Sequence, residues 1–165
     1  MPAPYASRSD LLICEEIAAV LKDPTGAYKL ALLIPYIDAA QSSVNTGRPL
    51  LTIYHDPMDH FGPNTRRAVL HFELKSRAGD DGNGQLLHQQ QFDALFIALL
   101  GNPKGGDMTA SASRSAAKTA IKTAIASRGK VIIQDYGPVQ SPIENDIEGL
   151  DLRTLLKVGI IWSFQ

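Results

Sequence analysis

Several side chains in this chain have types and spacings suited to chemistry. His55, Asp56, Asp59 and His60 carry the donor types of a divalent-metal site. Zinc needs three or four ligands converging in tetrahedral geometry, and Pro57 within so tight a stretch opposes that convergence, so the stretch reads as a solvated polar turn. Glu73 and Lys75 flank Leu74, and on a strand that spacing sets both on one face. With Asp56 or Asp59 as a second acid they would match a metal-dependent nuclease, in which two acids hold the ion and the lysine assists the attacking water. Glu-x-Lys also recurs on ordinary solvated strand faces, and that is the reading taken here. His71 shares this polar face and His88 opens a helical stretch, but neither has a serine or cysteine visibly arranged with it, so no triad is argued. Cys14 reads as a buried small hydrophobe. The glycines from Gly79 to Gly84 lack a phosphate-binding pattern and read as a loop tip. No catalytic residue, cofactor or metal is expected.

Charge is segregated along the chain. Residues 108–134 contain Arg114, Lys118, Lys122, Arg128 and Lys130 and no acid, whereas residues 143–151 contain Glu144, Asp146, Glu148 and Asp151 and no base. Arg114, Lys118 and Lys122 recur every four residues, a stripe on a helix, read as lying opposite Ala117, Ile121, Ala124 and Ile125. A basic stripe and an acidic loop on one molecule suit head-to-tail association of identical subunits. These seven residues, Arg114, Lys118, Lys122, Glu144, Asp146, Glu148 and Asp151, are the candidate interface. The alternative is two ordinary solvated surfaces.

The elements that must position these groups follow from periodicity. Ser9 caps an amphipathic helix through Leu21, with Glu15 and Glu16 to solvent, and Asp23 to Gly26 stop it. The apolar run Leu30 to Ile34 and the residues after Pro35 read as a connection with a possible short helix. Leu50 to Tyr54 is a strand, and Arg67 to Lys75 is the cleanest one, with Ala68, Leu70, Phe72 and Leu74 on one side. Gln85 to Leu100 is a helix whose stripe is Phe92, Leu95, Phe96 and Leu99, widened by Leu86, Ile97 and Leu100. After a Gly105-Gly106 joint, Ser113 to Ser127 is an alanine-rich basic helix ended by Gly129. Lys130 to Tyr136 is a third strand, Gly137 to Leu152 a long loop, and Arg153 onward the last strand. That strand alternates Leu156, Val158, Ile160, Trp162 and Phe164 with polar residues, so the terminus must be pinned in a sheet. The order predicts an α+β fold: a four-stranded, mainly antiparallel sheet covered on one face by helices, a two-layer sandwich.

The bulk numbers agree. A chain of 165 residues fits one domain, spanning 1–165 with an inserted basic helix at about 113–128, and would bury roughly 68–70% of its unfolded surface. A net charge of −1 exerts no global pull on nucleic acid or membrane. One cysteine excludes an internal disulfide, and no apolar run approaches a membrane span or signal peptide.

The order of elements resembles the tail terminator (tail-completion) proteins of long-tailed bacteriophages. The residues that carry the likeness are Arg67 to Lys75, Gln85 to Leu100 and the Arg153 to Trp162 strand, about a fifth of the chain. The resemblance implies a virion protein, made in the host cytoplasm, that forms a hexameric ring at the head-proximal end of the tail. Its partners would be itself, the tail tube protein and the neck or connector protein, with DNA in the lumen as a further contact and no membrane. The long segment before the first strand and the basic helix depart from the pattern and leave open another ring-forming neck or tail component. The competing class is the nuclease built on Glu73 and Lys75.

Overall fold

The computed structural model describes residues 8–23, 30–39, 49–60, 62–77, 84–101, 107–149 and 151–165. The glycine-rich tip at 78–83, the stop after Asp23 and the Gly105-Gly106 joint lie outside them, as does the Arg114 side chain.

Among the described residues the fold is α+β, with three α-helices and a sheet of six strands. Helix α1 (Arg8–Lys22) precedes a 3-10 turn (Leu30–Leu32) and β1 (Tyr36–Ala39). Strands β2 (Leu50–His55), β3 (Asp59–His60) and β4 (Thr65–Arg77) come next. Helices α2 (Gly84–Leu100) and α3 (Asp107–Ser127) then lead to the hairpin of β5 (Val131–Glu148) and β6 (Asp151–Phe164). The sheet order is β1-β2-β4-β6-β5, with β3 pairing β4 beside it. Only β1 and β2 run parallel.

One face of the sheet carries the core. Leu51 and Ile53 of β2, Leu70, Phe72 and Leu74 of β4, Val131 and Ile133 of β5 and Leu156, Val158, Ile160 and Trp162 of β6 are buried there with α1, α2 and α3. The strict alternation of β4 places its apolar residues on this face. On α2 the predicted stripe is buried at Phe92, Leu95, Leu99 and Leu100, and on α3 at Ile121 and Ile125. Strand β6 lies between β4 and β5, so the chain does end in the middle of its sheet, with Trp162 fully buried.

The sheet has six strands where the sequence reading expected four, because β1 and β3 were not foreseen: Asp59–His60, within the stretch read as a polar turn, pairs with β4, and other elements differ too. The segment after Pro35 is a strand, not a helix: paired with β2, it obtains its backbone hydrogen bonds from a neighbour that local periodicity cannot reveal. Residues 137–148 continue β5 instead of looping, paired with β6 up to the turn at Gly149, whose φ of 62° suits glycine there. Pro138 and Pro142 are tolerated because β5 is an edge strand, and the register shifts between Pro138 and Ile143, where Ser141 takes φ 55°. Helix α3 begins at Asp107, six residues before the predicted start. Leu86 and Ile97 of α2 are exposed, at 61% and 45%, because the helix turns that face away from the sheet.

Candidate functional site

The face of the sheet that no helix covers among the described residues holds Glu73, Lys75 and His71, which the sequence singled out. Glu73 and Lys75 of β4 share it as the two-residue spacing requires, and their side chains pair at 3.0 Å. Across the sheet, Arg153 of β6 donates to Glu73 Oε2 from Nε at 2.9 Å and from a terminal nitrogen at 2.8 Å, and the Tyr54 hydroxyl of β2 donates to the same oxygen at 3.2 Å. Burial opposes ionisation of Glu73, but hydrogen bonds and charge from Lys75 and Arg153 outweigh it and hold its pKa below the ordinary carboxylate value. Arg153 is shifted the other way: burial opposes its charge, and the Glu73 carboxylate more than restores it.

The second acid of the nuclease reading is not brought to Glu73. Asp56 binds His71 Nε2 at 2.9 Å, and Asp59 pairs with Arg67 at 3.2 Å. A cation-saturated Glu73 lacks the free lone pairs and the neighbouring carboxylate that a divalent ion needs. Among the described residues, no three or more His, Cys, Asp or Glu side chains converge for a metal, the 55–60 stretch included. The face is nonetheless ordered: Tyr54 stacks on His71 with centroids 4.8 Å apart and planes 6° from parallel, and Lys157 of β6 binds Glu144 of β5. Leu155, at 3% exposure, sits between Glu73 and Glu144 in the pairing register.

Beneath the sheet, at the N-terminal end of α2, His88 has the partners that sequence reasoning missed. Its Nδ1 lies 2.6 Å from Ser76 Oγ of β4 and its Nε2 2.8 Å from Thr154 Oγ1 of β6. Thr154 donates in turn to Asn145 Oδ1 of β5 at 2.8 Å. With the threonine proton used on Asn145, Nε2–H must donate to Thr154 and Nδ1 accept from Ser76. Burial lowers the His88 pKa from its ordinary value, which favours this neutral imidazole. The chain of four side chains therefore ties α2 to three strands. Only the polar phase of Ser76 and Thr154 on otherwise apolar strand faces signalled it.

The candidate interface residues fare differently. Lys118 binds Asp135 at 2.9 Å, and with Lys122 it lowers the Asp135 pKa. Arg128 and Lys130 both bind Glu16 of α1, which was read as solvent-facing and is 2% exposed. Burial works against its charge, yet the two cations together keep the Glu16 pKa low. The lysine stripe of α3 does not lie opposite the isoleucines: four-residue steps bring Lys118 and Lys122 beside Ile121 and Ile125, at the border with β5. Among the described side chains, the outward face is Ala116, Thr119, Ala120, Thr123 and Ser127, without charge. Glu144 is taken by Lys157 and Asp151 by Arg77 at 3.1 Å, whereas Asp146 and Glu148 are exposed and make no ion pair among the described residues. Cys14 is fully buried in α1, where burial pushes its thiol pKa up to about 12.

No family model matches the chain, and no curated protein matches it. Solved structures match it. One of them is 14% identical over 98% of this chain and 97% of its own, with a TM-score of 0.42, a likeness too slight to bear on function.

Proposed function

We propose that the chain is a structural virion protein that assembles into a ring, hexameric in the tail-terminator class it resembles, capping a phage tail tube and joining it to the neck. The observation that carries this reading is the open face of the sheet. Tyr54, His71, Glu73 and Arg153 are held there by one another and Lys157 by Glu144, around a buried leucine. Tyrosine and arginine are the residue types on which interfaces depend, and side chains ordered in advance lose less entropy on association. The same hydrogen bonds weigh against the nuclease reading, because they use the carboxylate that the metal would need. Among the candidate charges whose side chains are described, Lys122, Asp146 and Glu148 are left for contacts between subunits. The uncharged outward face of α3 favours a neighbouring subunit over DNA in the lumen as what that helix meets.

Electron microscopy of assembled tail ends tests the proposal. A ring of this chain at the head-proximal end is the expected result, and replacing Tyr54 and Arg153 together by alanine should lower ring occupancy while the monomer stays folded. Isolated single copies at the tail end would refute the ring. Magnesium- or manganese-dependent cleavage of DNA, lost in Glu73→Ala, would replace this reading by the enzymatic one.

A further inference from the structure

Beyond ring formation, the geometry points to a strand-addition site on the outer edge of β5 at residues 143–148, fitted to an extended partner segment that alternates apolar and basic side chains. Four observations meet there. First, β5 is the last strand of the sheet, so the backbone groups that point away from β6 have no strand partner among the described residues. Six residues offer about 20 Å of such edge. Long bare edges are usually blunted by lysine, proline or a bulge, and here the prolines and the register shift lie before Ile143 and leave the distal stretch regular.

Second, this stretch has two chemically distinct faces. Asn145 meets Thr154 on the α2 side, so Ile143 and Ile147 share that side, at 41% and 63% exposure. Glu144 meets Lys157 on the open side, so Asp146 and Glu148 share that one. Third, a cleft of about 210 Å³ lies between α2 and the strand, lined by Gln85, His88 and Gln89 on one wall and on the other by Ile147 and Leu152 among the polar side chains of Asn145, Asp146, Arg153 and Thr154. The exposed Leu86 lies next along the helix. Fourth, the arm is braced: the Ser76–His88–Thr154–Asn145 chain holds it against α2 in one position.

An added strand obtains affinity from main-chain hydrogen bonds and specificity from alternate side chains. On this edge, its residues on the α2 side would meet the exposed Ile143 and Ile147, which call for apolar groups. Those on the other side would meet Asp146 and Glu148, which calls for lysine or arginine. Among the described residues, the nearest cations are already engaged, Lys75 and Arg153 by Glu73 and Arg77 by Asp151. The occupant is therefore an extended basic and apolar arm of a partner protein.

Two eight-residue probes test this, one alternating lysine and valine and one alternating glutamate and valine, followed by amide NMR shifts in the purified full chain. The lysine peptide should bind saturably, more weakly with added salt, with shifts centred on 143–148 and the start of α2. The double variant D146K/E148K, changed only at exposed positions, should lose at least tenfold in affinity for the lysine peptide and gain it for the glutamate peptide. Equal binding of both peptides, shifts centred elsewhere, or no binding would overturn the proposal. Concentration-dependent self-association that protects amides 143–148 and is abolished by D146K/E148K would also overturn it, because a second copy would then be the occupant. None of these readouts depends on a ring, so the two proposals fail separately.

Discussion

The two halves of β5 share a strand and a pairing partner and differ in nearly everything else. In the first half, Val131, Ile133 and Tyr136 are buried, and the Tyr136 hydroxyl donates to the Leu99 carbonyl of α2 at 2.5 Å. In the second, residues 143–148 are exposed on both faces, and the arm is held from behind through Asn145. The division falls at the register shift near Ser141. Hydrogen bonding to β6 is common to both halves, so pairing alone does not decide what a strand contributes. Burial does: the first half is part of the core, and the second presents its edge to whatever meets the molecule.

Substitutions can break that comparison. The largest effect is expected next to the buried half. Trp162 of β6 pairs with Ile133, is fully buried and meets Phe164 edge to face at 4.9 Å. Trp162→Ala should cost about 3–5 kcal/mol in chemical denaturation, and an unchanged midpoint would show that this end of the hairpin is not core.

A middle effect is expected where the buried half begins. Glu16→Gln removes the carboxylate that holds Arg128 and Lys130 at the start of β5, and should cost about 2 kcal/mol at neutral pH. Because the native carboxyl pKa is lowered, the contribution is fully present above the ordinary value of 4.5 and is lost as pH falls through the lowered native value. The stability gap between wild type and Glu16→Gln should therefore close in acid. A gap that stays constant with pH would assign the effect to packing.

The smallest effect is expected on the exposed half. Ile147→Ser, at a side chain 63% exposed, should change stability by less than about 0.5 kcal/mol while weakening the lysine-valine peptide. A loss near that of Trp162→Ala would mean that the arm belongs to the folded core after all.

The α+β class, the stripe of α2 and the placement of Phe72, Leu74, Ile160 and Trp162 were legible in the sequence, because periodicity of 2 and 3.6 residues is written locally by one-sided burial. The pairing of Glu73 with Lys75 on one face was legible for the same reason. Glu16 was not, since its partners are more than a hundred positions away and a helix with two adjacent glutamates gives no sign of which one a distant arginine will cover. Nor was His88, whose bonds to Ser76 and Thr154 exist only because β4 and β6 lie side by side beneath α2. The stretch from Gly137 to Leu152 was the hardest: proline, glycine and acids at those positions read as a loop in isolation, and only β6, by pairing with it at Gly137 and Pro138 and again from Ile143 to Glu148, makes it a strand. The sequence by itself determined which side chains seek the core and at what period. Tertiary structure alone decided which charges are matched and which edge stays bare, because both depend on neighbours remote in the chain.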